Sequence, residues 1–235
     1  MNIKRNQTQS NKMPSDLALL KEAAKLVNPG VVSNCNSLGV GDDIKYVNER
    51  SFAYDLYRHW QTLVEKTGDD VIVNAEVTKK IEEKYLPKLR DIFGFEKNET
   101  HHHFEPDLVL HNSQSSSIDQ RIICEIKIKD RLRIVEDVNS LKTDNNLYRD
   151  LLKLKAYITK DNLLYNPFKY GVFILAGGSF ETIKKGLGNT IPSELQYKKH
   201  DIYCMMFNIK EKNNMGNKEY DSYVECKSLA QIFSK

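Results

Sequence analysis

The chain has 235 residues, of which 40% are hydrophobic and 29% charged, with a formal net charge of +3. These values exclude a chain too polar to fold and leave room for one ordinary domain with a sizeable core. No apolar run approaches the roughly 18 residues of a membrane helix, and residues 1–15 lack an apolar signal core, so the expected setting is cytoplasmic, with no membrane partner. A charge of +3 permits nucleic-acid binding without demanding it; what matters is whether basic residues gather beside a site.

In chain order, residues 1–14 are rich in Asn, Gln, Ser and Lys and are expected to form a disordered tail. An N-terminal helix and loop are predicted over 15–47. Ser15 is the expected cap, Leu17, Leu19, Leu20, Ala24 and Leu26 the apolar positions, and Pro29-Gly30 the terminator. Residues 31–43 read as loop, broken by Gly39 and Gly41. A second helix is predicted over 48–66, where Phe52, Leu56, Trp60 and Leu63 recur at helical spacing as core residues and Gly68 follows the end. Residues 71–77 are β-branched and read as a strand; 79–93 look helical, with Pro87 as an interruption. Strands are predicted at 107–111 and 121–128, joined by a polar turn at 112–117, which favours an antiparallel hairpin. A helix over 146–159 carries Leu147, Leu151, Leu154 and Ile158 on one face. Strands at 170–176, 202–209 and 220–226 complete the pattern, with Ser179 capping a helix to residue 185 and a short helix at the end. The sum is an α/β fold, a mixed central sheet flanked by helices.

The chemistry concentrates in the hairpin. Residues two apart on a strand share a face, so Glu125 and Lys127 project together while Cys124, Ile126 and Ile128 face the other way. Asp107, at the start of the neighbouring strand, can be brought beside Glu125. Two carboxylates that close repel unless a cation lies between them or one takes up a proton. Magnesium suits such a place because it takes oxygen ligands, commonly one or two carboxylates plus waters and substrate phosphate. The Ile126 carbonyl could add an oxygen, and Lys127 would orient or help deprotonate the attacking water and offset phosphate charge. The sequence holds three Glu-x-Lys pairs. Glu82/Lys84 falls in the predicted helix, where residues two apart diverge by about 200°, and Glu225/Lys227 has no preceding Pro-Asp strand.

Glu105-Pro-Asp107 and Glu125-Ile-Lys127 together resemble the PD-(D/E)XK nuclease superfamily, the restriction-endonuclease-like fold. The resemblance covers residues 48–176 and implies an αβββαβ core there, within a nuclease-like domain over 48–235 whose remainder, 177–235, is a C-terminal extension. It implies a Mg²⁺-dependent phosphodiesterase, a DNA endonuclease for which Mn²⁺ can substitute, with Asp107, Glu125 and Lys127 catalytic. It further implies a glutamate in the first core helix as a metal ligand, for which Glu49 stands in the right place. Polar residues on the helix after the Glu-x-Lys strand, here Asp150 and Lys153, would support the site or contact phosphate, with Lys129 a third such candidate. The alternative is a nuclease fold that binds nucleic acid without cutting it, as a homodimer or a subunit of a larger defence or repair complex, which the modest charge favours.

Each residue also has a plainer reading. Glu125 and Lys127 could form a surface salt bridge worth under about 1 kcal/mol. Glu49 suits a helix N-terminus by its charge alone, and Asp150/Lys153 is a common i,i+3 pair. His101-His102-His103 cannot all converge on one ion, which leaves a polar loop or phosphate contact. Gly177-Gly178-Ser179 resembles an anion-binding helix start but lacks P-loop spacing, and a strand-to-helix turn explains it. Basic groups at Lys127, Lys129, Arg131 and Arg133, and at Lys184, Lys185, Lys198 and Lys199, could line a substrate or simply be solvated. The four cysteines show no paired spacing; Cys124 and Cys204 lie in apolar runs and read as buried free thiols.

Overall fold

The computed structural model describes residues 13–33, 49–75, 106–112, 119–129, 146–159, 167–214 and 217–234. Residues 1–12 of the expected tail, the helix at 79–93, the three histidines, Cys35, Arg131 and Arg133 lie outside them; Met13, at the end of that tail, packs against the core.

Helix α1 (Ser15–Leu26) is entered through Pro14, which holds the cap position without a side-chain hydrogen bond, so Ser15 is the first helical residue and not the cap. Its buried stripe is Leu17, Leu20, Ala23 and Ala24. Leu26 is 53% exposed because nine residues at about 100° each place it opposite Leu17. A single turn, α2 (Gly30–Ser33), occupies the start of the stretch expected to be loop. Helix α3 (Glu49–Glu65) buries Phe52, Leu56, Trp60 and Val64. Val64, four residues after Trp60, continues the stripe better than the expected Leu63, which is only half-buried. Gly68 then takes φ 74°, the left-handed conformation glycine adopts without strain.

Six strands among the described residues form one sheet in sequence order: β1 (Val71–Ala75), β2 (Leu108–Asn112), β3 (Gln120–Ile128), β4 (Tyr170–Ala176), β5 (Ile202–Asn214) and β6 (Asn217–Ser228). β2 runs antiparallel to β1 and β3, and β6 antiparallel to β5, while β3, β4 and β5 are mutually parallel. The parallel step from β3 to β4 is made by α4 (Asn146–Tyr157), as a parallel connection requires. Beyond Ala176 and Phe207, the last β4–β5 pair, β5 and β6 continue against each other alone. Backbone pairing, and no apolar alternation, defines that polar end, which is why both strands exceed their expected lengths.

The sheet is covered on both faces. Leu108, Leu110, Ile122, Cys124, Ile126, Val172, Ile174, Met205 and Phe207 pack with α1 and α3, where Phe52 meets Phe207 edge to face at 5.0 Å. The alternate positions Val109, Ile123, Phe173, Leu175, Cys204 and Met206 pack against α4 through Leu147, Leu151, Leu154 and Ile158. The same face carries α5 (Phe180–Gly186), a 3₁₀ helix (Ser193–Lys198) that the polar sequence did not announce, and α6 (Leu229–Ile232). α5 begins at Ser179 with the expected cap, a reciprocal pair with Thr182. Gly177 (φ 77°) makes the turn, and a Cβ on Gly178 would lie 2.1 Å from Leu175 Cδ2. The Gly-Gly-Ser run is therefore a strand-to-helix turn. Cys124 and Cys204 are buried free thiols. No described helix is long and apolar enough to cross a membrane.

Candidate functional site

The hairpin register fixes the first two groups. Leu108 pairs with Cys124 and Val109 with Ile123, so Asp107, one residue before β2, stands opposite Glu125 on the α4 face. The Asp107 N–H donates to the Cys124 carbonyl at 3.1 Å, and Asp107 Oδ2 accepts from the Ile126 N–H at 2.6 Å. One bond through its backbone and one through its carboxylate thus hold Asp107 against β3.

Four acids and two lysines meet here. Lys127 Nζ lies 3.1 Å from Glu49 Oε1 and 3.7 Å from Asp150 Oδ2, and it donates to the Ile126 carbonyl at 3.1 Å. That carbonyl, expected to face a metal, therefore already serves an ammonium. Lys153 Nζ lies 2.8 Å from Glu125 Oε1 and 3.8 Å from Asp150 Oδ1. Each lysine bridges two acids, and Asp150 is shared. Glu49 arrives from α3, the helix layer on the opposite face of the sheet, whereas Asp150 and Lys153 descend from α4. Burial is deep for polar groups: Glu125 is 2% exposed, Asp150 7% and Lys153 8%. The surface-pair readings of Glu125/Lys127 and of Asp150/Lys153 therefore fail. Lys129 stands exposed at the end of β3, and no ion pair links it to another described residue.

Electrostatics follow from that burial. Desolvation, together with the nearby charges of Asp150 and Asp107, pushes Glu125 up to about 8, against the pull of Lys153 and Lys127. Asp107 is also raised, chiefly by burial, with Lys127 opposing. Burial alone would lower Lys127, but Asp150, Glu125, Glu49 and Asp107 outweigh it and hold the ammonium above its ordinary value. Lys153 is raised in the same way by Glu125 and Asp150. In this state Lys127 stays charged: it can orient a water and offset phosphate charge, but it cannot accept a proton.

The donor chemistry fits a hard divalent cation. Four carboxylates face two ammonium groups, a surplus of two negative charges when all are ionised. Asp150 Oδ2 and Glu125 Oε1 are buried without an aligned hydrogen bond, although Lys153 touches the latter. Oxygen donors with surplus charge and incomplete hydrogen bonding are what magnesium takes. Among the described residues no group of three or more His, Cys, Asp or Glu side chains is arranged to hold an ion, and the two lysines occupy the spaces between the acids.

Elsewhere, Glu225 accepts from the Tyr223 hydroxyl at 2.7 Å, and Lys227 covers the Phe180 ring at 4.6 Å, so that Glu-x-Lys pair serves edge strand β6. Lys184 and Lys198 pair with Glu181 and Asp201. Asp150 and Lys153 turn out to be as central as the hairpin residues. Helical phase was the available signal: Asp150 sits about 60° from the Leu147 stripe, at the border of the buried face, and Lys153 about 120° away, within reach of its long stem. A scan against protein-family models matched none, and searches of curated proteins and of solved structures returned no significant match.

Proposed function

We propose that this chain is a metal-dependent nuclease of restriction-endonuclease-like architecture that hydrolyses phosphodiester bonds in DNA. The observation that carries the reading is the buried acid–lysine cluster at the end of β3, where Asp107 faces Glu125 across the hairpin with Lys127 two residues on. The described order α3, β1, β2, β3, α4, β4 agrees with the αβββαβ core that the resemblance implies. Asp107 and Glu125 would hold Mg²⁺ or Mn²⁺; the Ile126 carbonyl and Glu49, expected as further ligands, are engaged by Lys127. The bound cation would supply charge that orients a water and stabilises the phosphate and leaving oxygen. Lys127, kept charged by its acidic neighbours, orients the attacking water and offsets charge on the phosphorane-like transition state. Asp150 and Glu49 set the position of that ammonium. Neutral side chains behind the cluster, from Val109, Ile123 and Phe173, keep bulk water from the inner side.

The test is cleavage of plasmid and oligonucleotide DNA with Mg²⁺ or Mn²⁺, beside Lys127→Ala. Loss of about 10²-fold or more in rate is expected for the variant; no cleavage by the wild type, or equal cleavage by both, would refute the reading. One observation favours a second reading, a nuclease fold that binds without cutting: both lysines are already paired with acids, and among the described residues no three acids are arranged to hold an ion. Salt-dependent DNA binding without any metal requirement would support it.

A further inference from the structure

We propose that Lys153 is a displaceable counterion: its ammonium stands against Glu125 in the place a divalent cation would take, and cation binding requires it to leave. The inference rests on the metal-site reading above and deepens it. Lys153 Nζ is 2.8 Å from Glu125 Oε1 and 3.8 Å from Asp150 Oδ1, so it sits between two buried carboxylates. Magnesium binds carboxylate oxygen at about 2.0–2.1 Å. An ammonium on the same oxygen would be left within a few ångströms of a doubly charged ion, with little solvent to screen the repulsion.

The contact is also built to release. Glu125 Oε1 has no aligned hydrogen bond despite its closeness to Lys153, so little directional bonding ties the pair. Lysine is a point charge on a flexible four-carbon stem, able to swing without disturbing the helix that carries it. Lys127 is placed differently. Its contacts are Glu49, Asp150 and the Ile126 carbonyl, and no ion pair joins it to Glu125, so it can stay when a cation reaches Glu125. Of the two lysines, one is therefore a resident of the site and the other a stand-in.

The sign of the effect separates this from a supporting role. A lysine that merely props Glu125 in position weakens cation binding when removed; a competing counterion strengthens it. The experiment is titration of the metal-free full chain with Mn²⁺ alone, by calorimetry and by thermal midpoint, for the wild type, Lys153→Met and Lys153→Gln. The glutamine variant keeps a hydrogen-bond donor beside Glu125, so that a folded neutral variant is at hand if the methionine fails. Binding about tenfold tighter in the neutral variants, with a lower midpoint before Mn²⁺ and a larger rise after it, is the expected result. Mn²⁺ bound by the wild type but no more tightly by either variant overturns the counterion role and leaves the metal site standing. No Mn²⁺ binding and no midpoint rise in any of the three overturns the metal-site reading, and the counterion with it.

Discussion

Replacing Glu125 by glutamine removes one charge from the most deeply buried acid of the cluster and keeps its shape. In the wild type, burial and the neighbouring acids push this carboxyl from 4.5 up to about 8. Between those values the unfolded chain releases the proton and the folded chain retains it. A carboxyl raised in this way contributes stability below its unfolded value that is lost as pH rises toward its folded value. One pH unit of such a difference corresponds to about 1.4 kcal/mol. From about pH 5 to about pH 7.5 the metal-free wild type should therefore lose about 3 kcal/mol relative to Glu125→Gln, which has no proton to release. Urea unfolding with a chelator present, at several pH values for both proteins, isolates this group because the other acids and lysines are common to both. Excess Mn²⁺ should flatten the wild-type slope, since a bound cation favours the ionised carboxyl. Parallel curves for the two proteins would refute the reasoning, showing that Lys153 and Lys127 keep Glu125 ionised throughout.

Two further substitutions probe the frame and the first ligand. Gly178→Ala places a methyl 2.1 Å from Leu175 Cδ2 in a fully buried position; a loss of about 1–3 kcal/mol by urea unfolding is expected, and a change below about 0.5 kcal/mol would mean Leu175 yields freely. Asp107→Asn retains an oxygen for the Ile126 N–H but halves the charge of the hairpin pair. It should remain within about 1 kcal/mol of the wild type while the Mn²⁺-dependent rise in midpoint disappears; persistence of that rise would remove Asp107 from the ligand set.

Much of this architecture is readable from local pattern. The alternation in 122–128 gives a strand with Glu125 and Lys127 on one face, and the leucine stripe of 147–158 gives the covering helix; both are observed. Local pattern failed where no burial period operates. The polar ends of β5 and β6 and the 3₁₀ helix at Ser193–Lys198 are set by backbone pairing and by neighbours. Leu26 is apolar yet exposed, because its angle around α1 and not its character decides its burial. The short linker pointed to a hairpin that can bring Asp107 beside Glu125, whereas the register that realises it, Leu108 opposite Cys124 with a shift at Leu110/His111, was decided by the pairing itself.

Sequence alone thus determined which residues share a face, because side-chain direction on a strand is a property of the backbone period. It did not determine how the charges are partnered. The nearest lysine in the chain to Glu125 is Lys127, yet Lys127 turns to Glu49 and Asp150 while Glu125 is met by Lys153. Side chains two apart on a strand stand side by side at about 6–7 Å, too far for a direct ion pair without bending, whereas a helix laid across the same face can aim a side chain straight down. Only the packing of α4 on β3 and β4 decided that pairing, and with it the burial that makes the cluster electrostatically unusual.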